Sequence, residues 1–458
     1  MGQRAARSLA VAAAVIFFFA RAFAWADAYN PPANYYSTAT GTGATLQTQL
    51  RTIVSNMVGV NYGDARYAAA ITDVDPNNAN NVLLIYNRAS VSAEWDEGVT
   101  WNREHIWPVS RLGVSSPSNT TNNIASDQHN LRPANPVINS NRGNDPFGLD
   151  STTGSHGPVV GGYYYPGDAD AGDVARSQFY MATRYSQLSL TDGTPNGLEM
   201  GDLSSLIVYH FRDVPDSFER RRNHAIYGLA GQDSPAIANP YRQENRNPFV
   251  DHPEFVWSIF VGNNNDSRIS IAGATVGADG GSTQNVDLGR VFVGGAVPAA
   301  QNFTLNKAGN NGTYFEVTTA GDATSSLSGR MNAFRTGQTD SKSITVGLNT
   351  STATAGLKSG TVTIDNLDIT TGGGAGRGAN DANDLFNVSL AVLDHATPSF
   401  AGGLVTNELT YNFGSVAMGS ASPVFQFDVF NFATTPVYTA DMDFDSIMSA
   451  GDASKFAT

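Results

Sequence analysis

At Trp257 the chain changes texture, and that change limits its architecture more than any other feature. Before it, apolar residues recur at helical spacing in several stretches. After it, short alternating apolar segments are separated by Gly, Asn, Asp and Thr, the pattern of β-sandwich domains. A chain of 458 residues also exceeds what one hydrophobic core commonly serves. Two architectures in series are therefore expected: an α+β domain over residues 27–266, then all-β sandwich modules over 267–396 and 397–458. The Gly and Asn run at 262–266 marks the boundary, and the first domain is expected to stand without the rest.

Within the first domain, Leu46, Leu50, Ile53, Val54 and Met57 predict an amphipathic helix over 44–57. Segments 82–86 and 99–105 read as strands; 173–185, 203–211 and 218–227 read as helices. In the second half, VDLGRVFVGG from Val286 is echoed by YNFGSVAMGS from Tyr411, which predicts tandem modules on one plan. Only 48 residues run from Tyr411 to Thr458, so the second module is expected to be incomplete and the natural chain to continue. The low-complexity stretch from Thr370 to Asp384 reads as a loop.

The first 26 residues have the three parts of an export signal. Arg4 and Arg7 precede an apolar run from Ser8 to Phe19, and small residues surround Ala22 and Ala24. About 12 apolar residues ended by Arg21 are too few to span a bilayer, so a secreted or periplasmic protein is expected, with no membrane span. Export permits disulfides, yet there is no cysteine, which leaves packing and any bound metal to hold the fold. The net charge of -14 argues against a diffuse electrostatic hold on a polyanion. Between residues 27 and 269, however, all 16 basic side chains are arginines, whose planar forks suit local, bidentate phosphate contacts.

Between Trp101 and Gly148 lie WNREHIWPVSRLG and SDQHNLRPANPVINSNRGNDPFG, dense in His, Asn, Arg and Glu. Phosphodiester hydrolysis needs a base for water, a cation to offset charge at phosphorus, and donors for the nonbridging oxygens. This segment holds candidates for all three. Glu104 and His105 are adjacent in a predicted strand and so face opposite ways unless the strand end bends. Pro133 to Arg142 reads as a helix with Asn135, Asn139 and Arg142 on one face.

Strand, His, loop, then a helix with Asn resembles the ββα-metal (His-Me finger) motif of the bacterial endonuclease I family. NREHIWP, DQHNLRP and N-x-x-R-G-N at Asn139–Asn144 carry the likeness, with GDVAR, ERRRNHAIY and NRNPFVDHPEF downstream. It spans about residues 45–260. The resemblance implies one divalent ion, Mg2+ with Mn2+ or Ca2+ as alternatives, held by Glu104 and Asn139. It further implies His105 as general base and Arg142, ahead of Arg111 or Arg132, as the phosphate-stabilising cation. Arg103, Arg111, Arg132 and His129 are expected on the substrate, His129 alternatively orienting the loop. Asn247, Asp251 and His252 read as scaffold, and Arg220–Arg222 as either a solvated face or a groove lining.

The function so implied is a metal-dependent endonuclease degrading DNA and also RNA with little sequence preference. The weak likeness of the β modules to immunoglobulin-like modules of bacterial surface proteins adds a cell surface or matrix as a partner. The competing expectations are an adhesion protein with an inactive nuclease domain, or a hydrolase of another phosphodiester.

Overall fold

The computed structural model describes residues 29–149, 154–228, 236–262, 264–370, 377–448 and 450. The expected export signal lies outside the described residues, as do residues 371–376 of the expected loop. Helix α1 (Gly43–Ser55) buries Leu46, Leu50 and Val54 along one stripe, as the periodicity predicts. After α2 (Ala65–Thr72) comes a small meander of β1 (Val74–Asp75), β2 (Asn78–Leu83) and β3 (Ser90–Ser92). The strand expected over 82–86 thus ends early. Tyr86 takes a positive φ of 77°, and Ile85 bridges Ala134 instead.

Next are β4 (Asn102–His105), β5 (Leu131–Ala134) and α3 (Pro136–Arg142). β4 starts later than expected because the Asp96 carboxylate holds the amides of Val99 and Thr100 in a turn. A hairpin of β6 (Gly157–Val159) and β7 (Tyr163–Tyr165) leads to α4 (Ala171–Arg184), buried from Ala171 through Thr183. The short pair β8 (Ser189–Leu190) and β9 (Glu199–Met200) precedes α5 (Leu203–Arg212), α6 (Ser217–Tyr227) and α7 (Pro248–Asp251). Helices α1, α5 and α7 pack around α4, which makes it the axis of this domain.

The second half is a two-sheet sandwich. Its strands are β10 (Arg268–Ile271), β11 (Thr283–Phe292), β12 (Gln301–Ala308), β13 (Thr313–Gly321), β14 (Ala323–Ser325), β15 (Gly329–Phe334), β16 (Asp340–Leu348), β17 (Gly356–Asn366) and β18 (Asp384–Leu393). One sheet has the order β10-β12-β16-β14, the other β11-β18-β17-β13-β15. Alternate residues point inward, and Ile269, Leu305, Phe334, Ile344, Val362 and Phe386 share one core. A bulge between Asp287 and Arg290, with Gly289 at φ 85°, bends β11 where it pairs in parallel with β18.

Beyond Asp394, among the described residues, β19 (Pro398–Ser399) pairs with β20 (Phe430–Asn431), and Thr439 bridges back to Asp394. The Tyr411 echo of β11 forms no strand, and no second sandwich is present among the described residues. Without a facing sheet, Met418, Val424, Phe427 and Ile447 stay exposed. No helix among the described residues is long and apolar enough to cross a membrane.

The two halves are not independent in packing. Tyr314, Ala333 and Ile369 of the sandwich join the core that contains Phe211 and Trp257, and the Tyr314 hydroxyl donates to the His210 carbonyl at 2.6 Å. Arg330 pairs with Glu254 across the same interface at 2.6 Å. A chain ended at Asp266 should therefore lose stability, because Phe211 and Trp257, now 3% and 6% exposed, lose their cover. Calorimetric melting should show a midpoint at least about 5 °C lower, a shift that ~1–2 kcal/mol produces in a domain of this size. An unchanged midpoint would show that the sandwich contributes nothing.

The sandwich carries its own pH dependence. Burial pushes the Asp368 carboxyl up to about 8, with Asp381 and Asp365 adding to the rise and the Asn380 amide opposing it. A carboxyl raised in the folded state contributes stability below its unfolded pKa of roughly 4, and loses it as pH rises through the folded value. The sandwich should melt higher at pH 5 than at pH 9. Asp368→Asn should flatten that dependence; a slope the substitution leaves intact would assign it to another group.

Candidate active site

Strand β4 pairs with β5, Asn102 opposite Ala134 through His105 opposite Leu131, and among the described residues its outer edge carries no strand. Helix α3 follows β5 and packs on β4. Its start is set by Asn135, which Pro136 holds in an extended conformation at φ -62°, ψ 129°. The Asn135 side chain accepts from the amides of Val137 and Ile138. The helix expected from Pro133 therefore begins three residues later, Arg132 and Pro133 being part of β5. With the Asn135 amide spent on capping, Asn139 is the asparagine that meets β4.

Side chains alternate along β4. Asn102 and Glu104 face α3: Asn139 Nδ2 donates to Asn102 Oδ1 at 2.8 Å, and Arg142 Nη1 lies 3.3 Å from Glu104 Oε1. Arg103 and His105 face the ring of Tyr62. The guanidinium sits 3.7 Å from its centroid, and the imidazole lies 5.5 Å away, tilted by 19°. The bend that would bring Glu104 and His105 to one face is absent, since pairing is unbroken through His105. Adjacent Cα atoms are only about 3.8 Å apart, however, so a group lying across the outer edge is near both.

Glu104 is 2% exposed. Tyr86 donates its hydroxyl to Oε1 at 2.6 Å, and the backbone amide of His105 also donates to the carboxylate. Burial raises the carboxyl's pKa, against the pull of the Arg142 charge and the Tyr86 hydrogen bond. On the same face, Asn139 gives its NH2 to Asn102, and its carbonyl oxygen accepts no hydrogen bond among the described residues. One carboxylate oxygen and one amide oxygen suit a hard divalent cation that keeps several waters. Among the described residues no group of three or more His, Cys, Asp or Glu could hold a metal ion, so acidic clusters offer no rival site.

His105 Nε2 lies 2.8 Å from the Ala125 carbonyl oxygen. A carbonyl only accepts, so Nε2 carries the hydrogen and Nδ1 the lone pair of the neutral ring. Burial brings the pKa down to about 4, the Ala125 carbonyl opposing and the Arg103 and Arg142 charges reinforcing the fall. Just beyond, the Asn130 side chain accepts from the Trp107 amide and donates to the Trp107 carbonyl, pinning the chain after His105.

The other expected residues divide by burial. Arg142 is not placed to meet a phosphate: its enclosed guanidinium donates to the carbonyls of His105 (3.0 Å) and Ile106 (2.7 Å) and lies over Phe147. Arg132, expected on substrate, is buried in ion pairs with Asp73 (2.8 Å) and Asp173 (3.1 Å). Arg222 joins Asp73 at 3.0 Å, and Arg176 links Asp173 to Glu219, so the arginine run of α6 is partly scaffold. His129 is also withdrawn, 3% exposed and packed on Tyr180, and burial lowers its pKa to about 4. Arg246 pairs with Asp251 and Asn247 caps α7, which fits a scaffold reading of that motif. Arg103 and Arg111 are half-buried, and among the described residues their guanidinium groups donate to the carbonyls of Tyr62 and Pro195.

Tyr86, Asn102, Tyr62 and the Ala125 carbonyl escape the sequence reading. Asn102 alone had a signal, since it lies two residues before Glu104 in a strand and must share its face.

A family model described as endonuclease I matches residues 42–254. An extracellular ribonuclease of Bacillus amyloliquefaciens is 39% identical over 245 residues, 49% of this chain and 78% of the relative. An extracellular ribonuclease of Bacillus subtilis is 38% identical over 251 residues, 51% of this chain and 80% of the relative.

Proposed function

Because this chain belongs to the endonuclease I family, we propose that it is a secreted, metal-dependent nuclease that cuts DNA and RNA internally with little sequence preference. The names of its relatives favour an extracellular setting and RNA among the substrates. The observation that carries the reading is the Ala125 carbonyl on His105 Nε2, which leaves Nδ1 as an acceptor on a ring that burial keeps neutral.

In this reading His105 Nδ1 takes the proton from the attacking water, and the Ala125 carbonyl steadies the ring as it becomes charged. The Glu104 carboxylate and Asn139 Oδ1 would hold one magnesium-type ion. When bound, that ion would offset charge on the phosphate oxygens and the leaving oxygen. Tyr86 and Arg142 fix Glu104, Asn102 fixes Asn139, and Arg142 holds the backbone of His105 and Ile106. Arg142 is thus a positioning residue. Arg103 and Arg111 are left for the phosphate, and contact with phosphates rather than base edges accounts for broad sequence tolerance.

Plasmid DNA, single-stranded DNA and RNA should all be cut in magnesium and spared in EDTA; undiminished cutting in EDTA would remove the metal from the mechanism. Glu104→Ala should bind manganese more weakly in calorimetric titration and recover part of its activity at high magnesium, because one amide oxygen and water make a poor site for a hard cation. Wild-type metal affinity in that variant would exclude Glu104 as a ligand.

A further inference from the structure

The face of β4 that carries His105 continues into an alternating column of rings and guanidinium groups. Tyr62 stacks on His105; Arg103 lies over Tyr62 and 5.2 Å from the Trp95 ring. Arg66 lies 5.8 Å from the same Trp95 ring and 4.9 Å from Tyr67, whose ring is 5.6 Å from Tyr241. Neither Arg66 nor Arg103 has a carboxylate within ion-pair distance among the described residues, whereas Arg88, Arg132, Arg142, Arg176, Arg222 and Arg246 all do. Tyr67 is 43% exposed, and Tyr62, Trp95, Arg66, Arg103 and Tyr241 are partly exposed. Trp95 is anchored edge-on to buried Trp101 at 5.0 Å.

Guanidinium groups not locked in an ion pair are what a phosphate chain needs. Accessible ring faces are what an unpaired base needs, and a duplex hides its base faces in its own stack. We propose that the column from Tyr62 to Tyr241 is a track for single-stranded polynucleotide, with bases stacking on its exposed rings and Arg66 and Arg103 meeting the phosphates. The track begins at the stacking partner of His105, so nucleotides flanking the cut phosphate settle on it. Unpaired strands are then favoured over duplex. This deepens the nuclease reading and rests on it for its biological sense, but binding tests it separately from cleavage.

The test is fluorescence anisotropy of the full chain in EDTA, with a labelled oligonucleotide presented either single-stranded or annealed to its complement. The wild type should bind the single strand at least about tenfold more tightly. Base stacking on one ring covers roughly 5- to 150-fold in affinity. Tyr67→Ala should lower the single-strand to duplex affinity ratio within that range, and Tyr67→Phe, which keeps the ring face, should restore it. Tyr67 lies on the surface, so its replacement does not threaten the fold. Equal wild-type affinity for the two forms, or a ratio unmoved by Tyr67→Ala, would overturn the track. Cleavage in magnesium by the wild type is scored apart. Its absence would sink the nuclease reading, while a ratio that behaves as expected would still uphold single-strand binding.

Discussion

His105→Ala should reduce cleavage by about 100- to 10,000-fold, the usual cost of removing a positioned general base. The reduction should appear in kcat, with nucleic-acid affinity and manganese binding largely retained, because Glu104 and Asn139 lie on the other face of β4. Raising magnesium should not restore activity. That separates it from Glu104→Ala, where partial rescue is expected. Calorimetric titration with manganese, alongside plasmid nicking across a magnesium series, reads both. Loss of metal from His105→Ala and its retention by Glu104→Ala would reverse the two assignments.

The largest effect on stability should come from a residue far from the chemistry in sequence. Asp73 Oδ1 receives Arg132 at 2.8 Å and Arg222 at 3.0 Å, all three side chains buried, and Thr72 donates to its other oxygen at 2.7 Å. Asp73→Ala would leave two buried guanidinium groups short of their shared counter-charge. Breaking a buried pair from one side costs about 3–5 kcal/mol, a large share of the ~5–15 kcal/mol that holds a domain folded. Urea unfolding should show that loss. Adding Arg222→Met to Asp73→Ala should recover part of it by removing one stranded cation. A loss under about 1 kcal/mol, or no recovery, would mean that solvent or rearrangement satisfies these arginines.

What could be read in advance was local. Helices α1, α4 and α5 announce themselves because their apolar residues repeat every three to four positions, and Asp202 and Asp216 cap α5 and α6. Glu104, His105 and Asn139, which the fold places on one strand and the helix packed on it, stand out in sequence because NREHIWP and N-x-x-R-G-N are compact motifs. The start of α3 was missed because Pro133 and Pro136 look alike in sequence, while pairing with β4 claims the first for a strand. Arg132 and Arg142 looked like substrate cations because their partners, Asp73, Asp173 and the His105 carbonyl, are assembled only by tertiary folding. The Tyr411 echo forms no strand among the described residues. A strand motif forms a strand only where a neighbour completes its hydrogen bonds, and none is present there among the described residues.

The arginine and carboxylate lattice has a consequence for how the first domain wears out. It runs from Arg222 through Asp73 and Arg132 to Asp173, Arg176 and Glu219, tying β5 and the end of α2 to α4 and α6. No one of these segments can peel away without stranding a charge, so partly open forms, the ones a protease cuts, are kept scarce. Extracellular proteins commonly obtain such durability from disulfides. Here there is no cysteine to reduce or scramble, so resistance to digestion should be indifferent to thiols and set instead by conditions that protonate the lattice's carboxylates.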